Sequence, residues 1–469
     1  MTNHPDDIQP PLFCKTRKVP TAAAQHIPQE VLLIIFAYLA GDLDQSLEVP
    51  PYTVGHVSRL WRAATLNIPE LWCTLPVISM AERTSPSVHA VEAYIGRLPP
   101  ESPISFSAVD PHFYDHPALL HLLEYRERWN KVYLELCPSF ICGLRDATFK
   151  YLPKLFRRLG VPHLSFPRLR TLKLKIAPER SFRGQVARFL EFDILNIRAD
   201  HCNYNLVTFG ACPQLTDVEI ECHDPDCCWI PLPWQQLRRY AVTSKGVPAM
   251  WNLLHSCSEE LEDLTYIVQK SVNLLADQVI FKNLKHLDYR VYSTNSYYRP
   301  FLGCLILPAL KTLRVCDYAD NVIPEMSALI LRSGCNLTRL SFHIQTLKPG
   351  EMVLFLRQTP SITELDCNCI PLADFGAFYA TESDTCIVPC LRSLTVHCLR
   401  VDTITQMLAK MIQFRSGSDR LLPHVGQLTT SRLVFPTSVW KARVICSRHP
   451  TADPSEIHVQ HSIICNHKI

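Results

Sequence analysis

The chain has 469 residues, 47% of them apolar, enough to bury a large core, and its 47 basic and 44 acidic residues leave a net charge of +3. So small an imbalance gives neither nucleic acid nor an anionic membrane a footing as the main ligand, and neither is an expected partner. The longest apolar run, Val31 to Ala40, falls short of the roughly 20 residues that cross a bilayer. Residues 1–25 are polar and proline-bearing, with no apolar core of a secretory signal, and are expected to be disordered. The 20 cysteines then read as reduced, buried small hydrophobes, and the expected compartment is cytoplasmic and/or nuclear.

The first patterned stretch, 26–75, opens Ile27-Pro28-Gln29-Glu30 and continues into Leu32, Ile35, Phe36 and Leu39, an i, i+3, i+4, i+7 stripe. Pro28 suits a first helical turn, and Glu30 favours the positive end of the dipole. Val31, Leu33, Ile34 and Tyr38 make the rest of the helix apolar too. A helix apolar nearly all round must be covered on more than one side, and fifty residues of local structure leave part of that cover to a partner protein. After a polar interruption come Val57-Ser58-Arg59-Leu60-Trp61-Arg62-Ala63-Ala64 and Pro69-Glu70-Leu71-Trp72. These residues resemble the F-box, a three-helix module that docks onto the Skp-type adaptor of cullin–RING ubiquitin ligases. The departures are Ile27 where the family usually has Leu, Ser58 where it often has Cys, and a long linker, Gly41–Thr53, which leaves the second helix poorly defined. The resemblance implies adaptor contacts at Ile27, Pro28, Val31, Leu32, Ile35, Phe36, Leu39, Val57 and Trp61. The bland alternative is an ordinary helical core segment.

Beyond residue 160 the chain keeps returning to Leu-x-x-Leu-x-apolar, with first positions at Leu169, Leu215, Leu237, Leu261, Leu284, Leu310, Leu337, Ile362 and Leu391. The intervals, by subtraction, are 46, 22, 24, 23, 26, 27, 25 and 29, and the first leaves room for one more unit around Phe192–Ile197. Pro167, Pro213, Pro308, Pro360 and Pro389 each stand two residues before a first position, as enders of a preceding helix and starters of a strand. The alternation within each unit is period two and predicts strands. Val247–Cys257, Ile323–Ser333, Gly350–Thr359 and Asp402–Phe414 read as crossover helices. Pro117–Glu127 followed by Arg128–Leu136 reads as an earlier helix and strand of the same kind. Self-similarity at this period is that of a leucine-rich repeat array, whose units must stack to bury their apolar faces. The expected fold is therefore α/β: a three-helix F-box-like module over 26–75, a leucine-rich-repeat solenoid of parallel strands with helical crossovers over 76–425, and an irregular C-terminal extension over 426–469. As a whole the chain is similar to fungal F-box proteins with irregular leucine-rich repeats. The alternative is another α/β protein with coincidental leucine spacing.

In such a solenoid the residues between the leucines line the concave strand surface. Their charges are Lys173, Lys175, Arg239, Arg290, Arg314 and Arg339 against Asp217, Glu219, Glu221, Asp263, Asp288, Glu364 and Asp366, six minus seven or −1 with histidines neutral. This mixed surface suits a protein target of complementary charge rather than a phosphate backbone. The expected target-binding residues are Lys173, Lys175, Glu219, Arg239, Arg290, Arg314, Arg339 and Glu364.

No catalytic constellation is present: there is no Gly-rich phosphate loop, no Gly-x-Ser-x-Gly and no His-Glu-x-x-His, and glycine is scarce at 14 residues. Cys222-His223-Asp224-Pro225-Asp226-Cys227-Cys228 lacks a second well-spaced pair for zinc and reads as a polar loop. No metal or other cofactor is expected. Tyr289, Tyr292, Tyr297 and Tyr298 cluster as loop packing or as a contact patch. The leading expectation is a non-enzymatic substrate-recognition subunit of a cullin–RING ubiquitin ligase, partnered by a Skp-type adaptor, the cullin complex and an unidentified target. A scaffold without a ubiquitination role is the alternative. A hydrolase or metal enzyme on an irregular α/β fold comes third.

Overall fold

The structure, a computed structural model, describes residues 27–28, 30–32, 34–36, 55–80, 86–109, 116–136, 165–176, 209–222, 232–244, 259–268, 278–292, 301–317, 322–344, 347–368, 370–378, 387–397, 430–434, 441–445 and 460–463. The chain divides into two compact units, one of residues 1–78 and 85–106, the other of residues 79–84 and 107–469.

In the amino-terminal unit, residues 30–32 and 34–36 are helical. A second helix, α1 (Arg59–Leu66), starts at Ser58, an extended residue whose Oγ accepts a hydrogen bond from the Trp61 N–H at 3.2 Å. That cap satisfies one of the amides a helix start leaves without a partner. A 3₁₀ turn, Pro69–Trp72, follows, and α2 spans Pro86–Ile95. Trp72 is the hub of this core. Its indole N–H donates to the Thr65 carbonyl at 2.9 Å, its ring meets Tyr94 edge-on at 5.0 Å, and the Arg97 guanidinium lies over it at 4.7 Å. Phe36 meets Trp61 edge-on at 5.4 Å, tying the first helix to α1. The linker expected to carry another helix lies outside the described residues.

The second unit is an α/β structure built on one long parallel sheet. Its strands are β1 (Trp129–Leu136), β2 (Thr171–Ile176), β3 (Asp217–Cys222), β4 (Arg239–Ser244), β5 (Asp263–Val268) and β6 (His286–Val291). They continue with β7 (Thr312–Asp317), β8 (Arg339–Ile344), β9 (Glu364–Cys367), β10 (Ser393–His397) and β11 (Thr430–Val434). Each pairs parallel with the next in chain order, from Lys131↔Thr171 at one end to Ser393↔Thr430 at the other. Within 426–469 lie β11, β12 (Lys441–Ile445) and β13 (Gln460–Ile463), the last two joined antiparallel to the same ladder.

The repeat motif explains why the strands stack in register. The second, fourth and sixth strand residues, such as Leu172, Leu174 and Ile176 or Leu340, Phe342 and Ile344, are buried while their neighbours are not. One position before each strand, the Arg170 N–H bonds the Asn130 carbonyl at 2.8 Å. The same position then runs through Thr216, Arg238, Glu262, Lys285, Lys311, Thr338, Thr363 and Arg392, each N–H bonding its predecessor's carbonyl at 2.8–3.1 Å. A single backbone column therefore threads every unit.

The prolines act more locally than their spacing suggests. Leu169, Leu215, Leu310, Ile362 and Leu391 each donate an N–H to the carbonyl three residues back, at 3.2–3.3 Å. Pro167, Pro213, Pro308, Pro360 and Pro389 thus sit second in a four-residue turn, where the fixed φ of proline is already correct. They set the corner that feeds the first leucine inward rather than opening the strand itself.

The expected extra unit near Phe192–Ile197 does not separate its neighbours in the sheet, because β2 pairs directly with β3, Thr171 opposite Asp217. The 46-residue interval is a long connection between adjacent strands. Helix α3 (Pro117–Glu124) leads into β1; between the other strands, described crossovers include α4 (Val322–Ser333) and α5 (Glu351–Arg357), with 3₁₀ turns at Phe209–Ala211, Trp234–Gln236, Phe301–Cys304 and Leu372–Phe378. Helix α4 buries Ile323, Met326, Leu329 and Ile330 and ends at Gly334, whose φ of +59° favours glycine. The expected helices at Val247–Cys257 and Asp402–Phe414 lie outside the described residues. Among the described residues no helix is long and apolar enough to cross a membrane.

Candidate functional site

Two surfaces gather the residues singled out by the sequence. On the amino-terminal unit the apolar helix splits into two faces. Leu32 and Phe36 are fully buried. Val31, Ile34 and Ile35, at i, i+3 and i+4, form an exposed stripe, with Ile34 69% exposed. Val57 at 54% and Leu60 at 36% add further apolar surface at the start of α1. Ile27 and Trp61 are half-buried, Pro28 is exposed, and Leu39 lies outside the described residues. Of the expected contact residues, Val31, Ile35 and Val57 are thus open to a partner, whereas Leu32 and Phe36 hold the unit's own core. Sequence reasoning left Ile34 and Leu60 off the contact set. Their signal was present as the second apolar face, but nothing in the helical period says which of two greasy faces turns inward.

The second surface is the exposed face of the parallel sheet. All eight charged residues expected to meet a target lie on it, and all eight engage neighbouring carboxylates or ammonium and guanidinium groups. Lys173 Nζ lies 3.1 Å from Glu219, Lys175 Nζ 3.2 Å from Glu135, and Arg339 Nε 3.1 Å from Glu364. Arg239 pairs with Asp217. Arg290 grips Asp288 with Nε at 2.9 Å and Nη2 at 2.5 Å, and Arg314 approaches the same carboxylate at 3.9 Å. The cause is register: Lys173 stands opposite Glu219, Asp217 opposite Arg239, and Arg339 opposite Glu364. Charges 22 to 46 residues apart in the chain become lateral neighbours about 4.8 Å apart along the sheet.

These contacts leave their mark on titration. The hydrogen bond that the Lys175 ammonium donates to Glu135 keeps it protonated above its ordinary range, and the one Arg290 donates to Asp288 does the same for the guanidinium. Burial, followed by the nearby Glu135 charge, raises the Tyr133 phenol. Lys285, just off the strand face, lowers the Glu262 carboxyl through a 2.6 Å contact. Between the charged blocks lies a window of Ala241, Thr243, Thr265 and Ile267, all half-buried and uncharged. The face is thus a mosaic of internally matched charges around a neutral centre.

The remaining candidates fall away from both surfaces. Cys222 is buried at a strand end and Cys367 is buried, and no group of three or more potential metal ligands assembles among the described residues. The other members of the 222–228 cluster lie outside those residues. Tyr289 is core, stacked 5.3 Å from Phe301 and 6.1 Å from Tyr266, while Tyr292 is exposed. Tyr297 and Tyr298 lie outside the described residues. Compared with known proteins, the chain matches no protein-family model and no curated protein.

Proposed function

We propose that the chain is a non-enzymatic substrate receptor of the F-box type. Its amino-terminal unit would grip a Skp-type adaptor of a cullin–RING ubiquitin ligase, and the exposed sheet face would hold a target protein while other subunits transfer ubiquitin. The observation that carries the reading is the solvent-facing stripe of Val31, Ile34 and Ile35, with Val57 and Leu60, on a unit whose own core already contains Leu32 and Phe36. Several large apolar side chains left in water on one unit are what a docking surface presents. Removing each from water contributes about 1.5–3 kcal/mol, so these residues matter together rather than singly. For the target, the sheet face supports recognition by shape and a pattern of alternating charge, with Ala241, Thr243, Thr265 and Ile267 as its uncharged centre.

The test is a pull-down of the full chain with a purified Skp-type adaptor. The double substitution Ile34→Asp and Val57→Asp removes two apolar anchors at exposed positions and is expected to weaken capture by about 100-fold or more. Circular dichroism of the variant should match the parent, because neither side chain is in the core. Undiminished capture by a folded variant rejects the reading. The ubiquitination half is checked separately, since loss of the chain should lengthen the lifetime of at least one cellular protein that co-purifies with it.

A further inference from the structure

We infer that the rim formed by the amino ends of the parallel strands is a docking ridge for an acidic segment of a partner protein. It is separate from both surfaces above and holds whether or not the amino-terminal unit takes an adaptor. The ridge is built by the residue that precedes each strand, the position whose backbone bonds thread the units together. From β2 to β10 that position carries Arg170, Arg238, Lys285, Lys311 and Arg392 against a single anion, Glu262, five minus one or +4. All five cations are exposed, whereas Glu262 is half-buried. Strand spacing sets Arg170 and Lys311, five strand steps apart, about 24 Å from one another.

Two observations separate this row from ordinary solvated charge. Lys285 and Lys311 are consecutive members, the Lys311 N–H bonding the Lys285 carbonyl at 2.9 Å. Like charges on adjacent strands are destabilising, so stability alone does not account for the pair. The excess also survives a wider count that takes in each leading turn and each strand's first residue. Over 165–171, 209–217, 232–239, 259–263, 281–286, 307–312, 335–339, 359–364 and 387–393 there are nine cations and six carboxylates, nine minus six or +3. That equals the net charge of the whole chain, so the positive excess of the molecule is matched by this one rim. Glu262 feels it: its carboxyl lies below the ordinary range, first through the Lys285 hydrogen bond and then through the charges of Lys285 and Arg238.

The partner must carry negative charge over about 24 Å, which an extended segment of about eight residues covers. A protein segment fits better than a nucleic acid. Asp217, Asp263 and Glu364, the first residues of β3, β5 and β9, stand beside the row and repel a uniform phosphate chain. A peptide can set uncharged residues opposite them. Single-stranded nucleic acid also needs aromatic platforms, and among the described residues the exposed aromatic is Tyr292, just past the opposite end of β6.

The experiment titrates the full chain into a labelled peptide of alternating glutamate and serine, about ten residues long, and follows fluorescence anisotropy at low salt. Binding should be measurable and should weaken steadily as salt is raised towards about 1 M, where screening reaches about 3 Å. The double substitution Arg238→Gln and Lys311→Gln should weaken it about threefold to tenfold with unchanged circular dichroism. Lys348→Gln with Arg357→Gln, an equal loss of charge at exposed positions away from the rim, should leave it nearly unchanged. The inference is overturned if the unmodified chain shows no salt-dependent binding, if both doubles weaken binding alike, or if an oligothymidylate of equal length binds as tightly as the peptide.

Discussion

The two surfaces solve opposite problems. On the sheet face charges find partners on the next strand or two residues along their own, so Lys173–Glu219, Arg339–Glu364 and Arg290–Asp288 satisfy themselves before any ligand arrives. On the amino-terminal unit Val31, Ile34 and Ile35 have no such remedy, because burying a hydrocarbon side chain requires a second apolar surface. The difference teaches where affinity and where selectivity would come from. Apolar surface left in water supplies the driving force for a lasting contact, and a neutralised charge mosaic discriminates among visitors.

The comparison can be broken hardest at the core. Phe36→Ala should destabilise the amino-terminal unit by about 3–5 kcal/mol, whereas Ile34→Ala, two residues away, should change stability by no more than about 0.5 kcal/mol. Denaturant titration of both variants decides whether the two faces differ as described. In the sheet, Leu313→Ala should cost about 2–5 kcal/mol by the same method, since Leu313 is fully buried.

Asp374 sharpens it at the next scale. This buried carboxylate accepts the Gly350 N–H at 2.7 Å with Oδ1 and leaves Oδ2 without a partner. Asp374→Ala orphans that amide and should cost about 1–3 kcal/mol. Burial raises the carboxyl above its ordinary 3.8, so the folded protein holds the proton more tightly than the unfolded chain. The cost of the charged form is therefore felt in full above the folded value and disappears as pH falls below 3.8. Asp374→Asn keeps the acceptor, so it should raise the Tm at pH 7, with the gain shrinking as the solution is acidified towards ~pH 4. A gain that grows on acidification contradicts the assignment.

Smaller effects test the turns and the ion pairs. Pro308→Ala frees the unfolded chain without disturbing the turn's hydrogen bond and should cost about 0.4–1 kcal/mol. A double-mutant cycle on Arg339→Ala and Glu364→Ala should return a coupling of about 0.2–1 kcal/mol, falling as salt is added. A coupling several times larger would mean the pair is structural rather than part of an adaptable surface.

Much of the sheet was legible beforehand because its signals are local. An apolar residue, most often leucine, at the first and fourth positions and an apolar one at the sixth, alternating with mostly polar residues, suits a strand with one buried face, and nine such strands lie where that pattern falls. The helical character of residues 30–32 and 34–36 and of Arg59–Leu66 was legible for the same reason. The 46-residue interval misled because spacing alone cannot tell a hidden unit from a long connection. Only the direct pairing of Thr171 with Asp217 makes that distinction.

What the sequence determined by itself was therefore the identity of each element, since period and turn chemistry act over a few residues. Tertiary structure alone decided which of two apolar helix faces turned inward and which charges cancelled. The helix face is decided by what packs against it, and the charge pairing by register between strands more than twenty residues apart, a property of the stacked array and not of any one unit.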